Sequence, residues 1–191
     1  MSNFKINYRY YRGWCSNDKE GYDEYPYKKA LEKYNKNETI FVVATKEKDN
    51  KPFAFIMLDK ISLYISFLND KLDVEREYRY CILDNINTKK VFLVKVMIRE
   101  YDYNNKSLFR NIKQVNTYLF ASNNEKSNFQ WFLLDKVYCE ETDYIKEEEI
   151  SYQSKNIVDE SSLWEDIPEF GNWDNLLRPD NDRIKFIEVN D

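Results

Sequence analysis

Residues 4–10 read FKINYRY. Phe4, Ile6, Tyr8 and Tyr10 fall at every second position, with Lys5, Asn7 and Arg9 between them. Successive side chains of an extended chain point to opposite faces, so this spacing describes a strand with one apolar and one polar face. A helix would instead need apolar residues three and four apart. The same period returns in ISLYISFL (61–68), where Ile61, Leu63, Ile65 and Phe67 oppose Ser62, Tyr64 and Ser66. In VFLVKVMIRE (91–100), Phe92, Val94, Val96 and Ile98 oppose Leu93, Lys95, Met97 and Arg99. Further strands are expected at 39–45, 53–58, 76–83, 114–121, 129–138 and 183–189. Polar connectors such as KEKDNK and ASNNEKSN separate them, and their Asn and Asp residues tolerate the left-handed backbone of tight turns.

One helix is expected at 26–36, with Pro26 in its first turn and Ala30, Leu31 and Tyr34 as a narrow apolar stripe. Residues 142–150 are compatible with a second helical piece, and short turns can start at Ser162 and Asn172. The fold class is therefore α+β: a mainly antiparallel sheet or sandwich with one early helix and short C-terminal helices. Residues 1–139 read as a β-rich body and 140–191 as an acidic, aromatic segment packed on it, one domain overall.

Composition narrows the chemistry. The chain has no histidine, which removes Ser-His-Asp and Cys-His nucleophile systems, HExxH metal sites and the side chain most used as a general base near neutral pH. Glycine occurs only at 13, 21 and 171, so no glycine-rich phosphate cradle can be written. Cys15, Cys81 and Cys139 are too far apart for a CxxC motif, and the acids Glu140, Glu141, Asp143 and Glu147 to Glu149 read as a solvated face. No enzyme, cofactor or metal is expected from this set. The N-terminus lacks a signal-peptide core and no apolar run nears the roughly 20 residues of a membrane span, so a cytoplasmic protein with no membrane partner is expected.

Charge is divided along the chain. Residues 1–139 hold 24 Lys and Arg against 18 Asp and Glu, whereas 140–191 hold 5 against 16. Within the acidic part, SSLWEDIPEFGNWDNLLRPD (161–180) interleaves Trp164, Phe170 and Trp173 with Glu165, Asp166, Glu169 and Asp174. Leu163, Trp164, Ile167, Phe170, Trp173 and Leu176 are apolar enough to fold back on the sheet, with Gly171 supplying a turn. The same seven residues, 164–166, 169, 170, 173 and 174, mix carboxylates with large rings, as an interface with a basic protein would. IPEFGNW (167–173) resembles the short core of the nitrate-induced domain of plant immune-regulator proteins through Ile167, Pro168, Phe170, Gly171 and Trp173. The pattern that follows in that family is absent, and no function is transferred from it. In size and style the chain is similar to the immunity proteins that neutralise bacterial toxins. The expected function is accordingly stoichiometric inhibition of a toxin or effector. The alternative is a nucleic-acid-binding module in which Arg9, Tyr10, Arg12 and Trp14 contact the strand and the acidic tail competes with it.

Overall fold

The strand expected from FKINYRY is β1 (Ile6–Cys15), the first element of a mostly antiparallel structure. The computed structural model describes residues 5–81, 90–106, 109–120, 132–136, 150–152, 157–158, 160–178, 183 and 186–187. The chain forms two compact units: residues 1–92 with 165–179, and residues 93–164 with 180–191. The acidic segment is shared between the units.

In the first unit β1 is followed by β2 (Glu20–Tyr25), helix α1 (Tyr27–Asn35), β3 (Ile40–Lys46), β4 (Pro52–Leu58), β5 (Ser62–Leu68) and β6 (Val74–Cys81). Their order across the sheet is β6-β5-β4-β3-β1-β2, every neighbouring pair antiparallel. The register aligns Tyr10, Val42, Ile56, Ile65 and Tyr78 in one row across five strands. Ile40, Leu58, Leu63 and Tyr80 form the next row, and no member of either row is more than 6% exposed. Period-2 sequence thus becomes a continuous apolar face. Each fully buried large side chain on it contributes about 1.5–3 kcal/mol.

Helix α1 packs against β1, β2 and β3 through Ala30, its fully buried residue. A side chain this small lets the helix approach the strands closely. Pro26 lies just outside the helix, with an extended backbone and its carbonyl accepting the Ala30 N–H at 3.0 Å. Lys29 and Lys33 sit over the Tyr25 ring, tying β2 to the helix.

The opposite face departs from simple alternation. Ser62 and Ser66 of β5 are buried alongside Leu63 and Ile65, while Ile61 stands 65% exposed in the turn before the strand. Val43, Thr45 and Phe55 are buried on neighbouring strands. The β1–β2 ribbon covers part of this face. Trp14 stacks on Phe55 at 5.2 Å, and Lys19 reaches the β5–β6 turn, 2.8 Å from the Asp73 carboxylate and 2.8 Å from the Lys71 carbonyl. The ribbon therefore doubles back across the sheet. Gly13 is buried in it, where an added Cβ would collide with the Tyr22 ring. The strand β2, EGYDEY, carries no apolar alternation and was not expected from sequence.

The second unit takes over β7 (Lys90–Tyr101) after Phe92 and continues with β8 (Ile112–Leu119), β9 (Phe132–Lys136) and β10 (Ile150–Tyr152), each antiparallel to the one before. Arg110 and Asn111 turn the chain into β8 with φ of 52° and 60°. Val96, Val115, Thr117 and Phe120 are buried in this unit. A separate antiparallel pair joins β11 (Ile157–Val158) to β13 (Phe186–Ile187), and β12 (Trp164–Asp166) lies between them in sequence. The helical piece considered at 142–150 lies outside the described residues except for Ile150, which is in strand β10. Among the described residues no helix is long and apolar enough to cross a membrane.

Candidate functional site

Residues 165–179 return to the first unit as a closed loop. Arg178 donates a hydrogen bond to Glu165, drawing the two ends of the segment together. Between them the Asn172 N–H bonds the Glu169 carbonyl at 3.0 Å, and Gly171 takes a φ of +96°, a conformation that side-chain-bearing residues adopt only under strain. A 3-10 turn follows at Asp174–Leu177. Its N-cap is Trp173, with no side-chain cap, so the turn starts after the indole and not from Asn172 as expected. Trp173 is 0% exposed and Leu176 is 1% exposed, and their burial sets the position of the turn.

The anchor is a cluster of rings. Phe170 stacks on Tyr10 at 5.2 Å and meets Tyr27, Tyr34 and Trp173 at 5.3, 5.2 and 5.4 Å. Trp173 in turn meets Tyr34 edge to face at 6.5 Å. Ring pairs of this kind contribute about 0.5–1.5 kcal/mol beyond the area they bury. The Tyr27 hydroxyl also donates to the Phe170 carbonyl at 3.3 Å. Tyr10 comes from β1 and Tyr27 and Tyr34 from α1, so the segment is held by both elements. The Trp173 indole N–H has no well-formed hydrogen bond among the described residues, although it acts on the Tyr10 hydroxyl.

Polar groups stand outside this cluster. Asp166, Glu169 and Asp174 are exposed, together with Asn172 and Asn175. Asp166 is 4.0 Å from Lys90, and Glu169 makes no ion pair among the described residues. Asp174 accepts a hydrogen bond from the Tyr8 hydroxyl. Burial first, and then that bond to a carboxylate, push the Tyr8 phenol well above its ordinary range. Burial likewise raises Tyr10 and Tyr34.

A pH dependence follows from the sign of these shifts. All three phenols hold their protons more tightly folded than unfolded, so their contribution is complete below about pH 10 and is lost as pH rises beyond it. Urea midpoints are expected to fall above that pH. Tyr8→Phe should be less stable at pH 8 by about 0.5–1.5 kcal/mol, the worth of one hydrogen bond, and the gap should narrow by pH 11. A gap that widens with pH would show that the phenol is not held protonated by the fold.

The sequence-selected residues fall into distinct roles. Trp173 is a core residue, Phe170 and Trp164 are half-buried, and Glu165 is occupied by Arg178. Asp166, Glu169 and Asp174 remain as the exposed set. Arg9, Tyr10, Arg12 and Trp14 are not brought to one surface. Tyr10 is 6% exposed beneath Phe170, Trp14 covers Phe55 from the other side, and Arg12 lies 3.4 Å from Asp23. Arg9 and Tyr10 are on opposite faces by alternation, whereas Tyr10 and Trp14 share a parity in sequence yet pack on different partners, Phe170 and Phe55. Tyr8, Tyr27 and Tyr34 are not among the residues expected at the site, although Tyr8 lies on the apolar face of FKINYRY and Tyr34 on the helical stripe. Cys15 and Cys81 are half-buried free thiols; Cys139 and the acids at 140–149 lie outside the described residues.

Comparison with known proteins finds no family model that matches the chain, no curated protein similar in sequence and no solved structure similar in fold.

Proposed function

We propose that this protein works by stoichiometric binding to a basic protein, in the manner of an immunity-type inhibitor of a toxin or effector. The observation that carries the reading is the fixing of an acidic ridge by a buried aromatic anchor. Asp166, Glu169 and Asp174 project from a loop whose ends are tied and whose Trp173 and Leu176 are in the core. Carboxylates held this way lose little further freedom on binding, and their common sign steers a cationic partner. The half-buried Phe170 ring supplies apolar area at the centre of the ridge. Internal ion pairing does little to oppose this, because the exposed Asp166–Lys90 contact is long and solvated. Absence of histidine from the sequence favours binding over turnover.

The test begins with affinity capture of a partner from source cells and follows with kinetics. The double variant Asp166→Lys, Glu169→Lys is expected to associate about tenfold more slowly at low salt, with a smaller effect at high salt and little change in dissociation. Neither side chain is buried, so the variant should melt like the native protein. Unchanged association at every salt concentration, or capture of nucleic acid alone, would sink the reading.

A further inference from the structure

The first unit contains a cleft of about 310 Å³ between the end of α1, the β4–β5 turn, the start of β7 and the C-terminal loop. Leu58, Leu63, Val91 and Ile167 give it an apolar floor, and Tyr34 contributes a ring. Its rim is polar: Asn35, Asn37, Glu38, Asp59 and Lys60. The size is at the low end for ligand pockets, which run from about 300 to 1,000 Å³, and suits one extended side chain better than a whole cofactor.

The two carboxylates of the rim differ in their partners. Glu38 already pairs with Lys33. Asp59 receives the Thr39 hydroxyl at 3.3 Å and the Lys60 backbone N–H at 2.6 Å, and it makes no ion pair among the described residues. Both bonds fix the carboxylate without neutralising it. Among the described residues lining the cleft Lys60 is the one cation, and it is exposed, free to turn to solvent.

Resting on the reading of a basic protein partner, we infer that this cleft receives an arginine side chain of that partner. Its methylenes lie on Leu58, Leu63, Val91 and Ile167, and its guanidinium reaches Asp59 beside the Tyr34 ring. Arginine fits this arrangement better than lysine. Its planar head is weakly hydrated, stacks on aromatic faces and spreads five donors that a carboxylate and the side-chain carbonyls of Asn35 and Asn37 can share. The apolar stem answers the floor, which a small polar cation would leave uncovered.

The experiment titrates the full ¹⁵N-labelled chain with N-acetyl-arginine methylamide and, in parallel, with its neutral isostere N-acetyl-citrulline methylamide. Saturable amide shifts are expected at Asn37, Asp59, Leu63 and Ile167, with citrulline binding about tenfold weaker. Asp59→Asn should weaken the arginine probe by a similar factor, while Asp70→Asn, an exposed carboxylate on another turn, should leave it unchanged. Equal binding of citrulline would make the cleft an uncharged pocket and overturn the inference. So would shifts confined to Asp166 and Glu169, or no saturation with either probe. Any of these would leave the ridge reading standing, because that reading depends on salt-sensitive association of the Asp166 and Glu169 variants. Loss of the ridge effect with intact arginine selectivity would separate the two in the other direction.

Discussion

Trp173→Ala is expected to destabilise the first unit by about 3–5 kcal/mol, the usual range for removing a fully buried tryptophan. For a unit of this size that corresponds to a fall in Tm of roughly 10–30 °C. The indole is wholly enclosed and meets both Phe170 and Tyr34, so its loss leaves a cavity and also frees the ring on which Tyr10 and Tyr27 pack. Trp173→Phe should recover much of the stability, since among the described residues the indole N–H makes no well-formed hydrogen bond that a phenyl ring would forfeit. Urea denaturation followed by circular dichroism measures both variants. A change in Tm of less than about 2 °C for the alanine variant would show that the cluster does not fix the loop.

A chain ending after Trp164 is expected to lose cooperative unfolding and to aggregate. It lacks the half-buried Phe170 and the buried Trp173, Leu176 and Leu177, each of these last three contributing about 1.5–3 kcal/mol gross. It also uncovers Tyr10 and Tyr34, leaving an apolar patch beside α1 that invites self-association. Binding of a hydrophobic dye and light scattering at neutral pH report the two effects. A monomeric truncated chain that melts at the native temperature would mean that the loop is an ornament on an already complete unit. The contrast with the ridge variants is useful, because removing charge there should alter encounter with a partner while leaving the fold intact.

The strands were legible where one face is apolar along the chain. Phe4 to Tyr10 and Ile61 to Phe67 alternate in sequence, the segments around 42 and 56 are short apolar runs, and β1, β5, β3 and β4 stand at those places. The early helix was legible because Pro26 cannot continue a preceding ladder and Ala30 and Tyr34 are a turn apart. The return of the C-terminal aromatics was legible from composition alone, since side chains such as Trp173, Leu176 and Leu177 are too apolar to stay in water.

Other features belong to the tertiary structure. Ser62 and Ser66 read as the wet face of β5, yet they are buried: Ser66 lies beside Phe55, on which Trp14 of the β1–β2 ribbon stacks, and Ser62 lines the cleft with Val91 and Ile167, partners that no local pattern announces. The strand β2 escaped notice for the complementary reason: its residues are mostly exposed, and it is specified by pairing with β1 rather than by its own periodicity. The acidic aromatic loop stood out in the sequence, but its division into an interior anchor and an exterior ridge depends on which residues Tyr10, Tyr27 and Tyr34 meet. The Tyr8–Asp174 bond and the Ile167 wall of the cleft join residues more than a hundred positions apart. By itself the sequence determined an antiparallel α+β protein with an acidic aromatic end, because hydropathy and propensity act over a few residues. Only the tertiary structure decided which carboxylates face solvent and which rings hold them there, because burial depends on partners brought from distant parts of the chain.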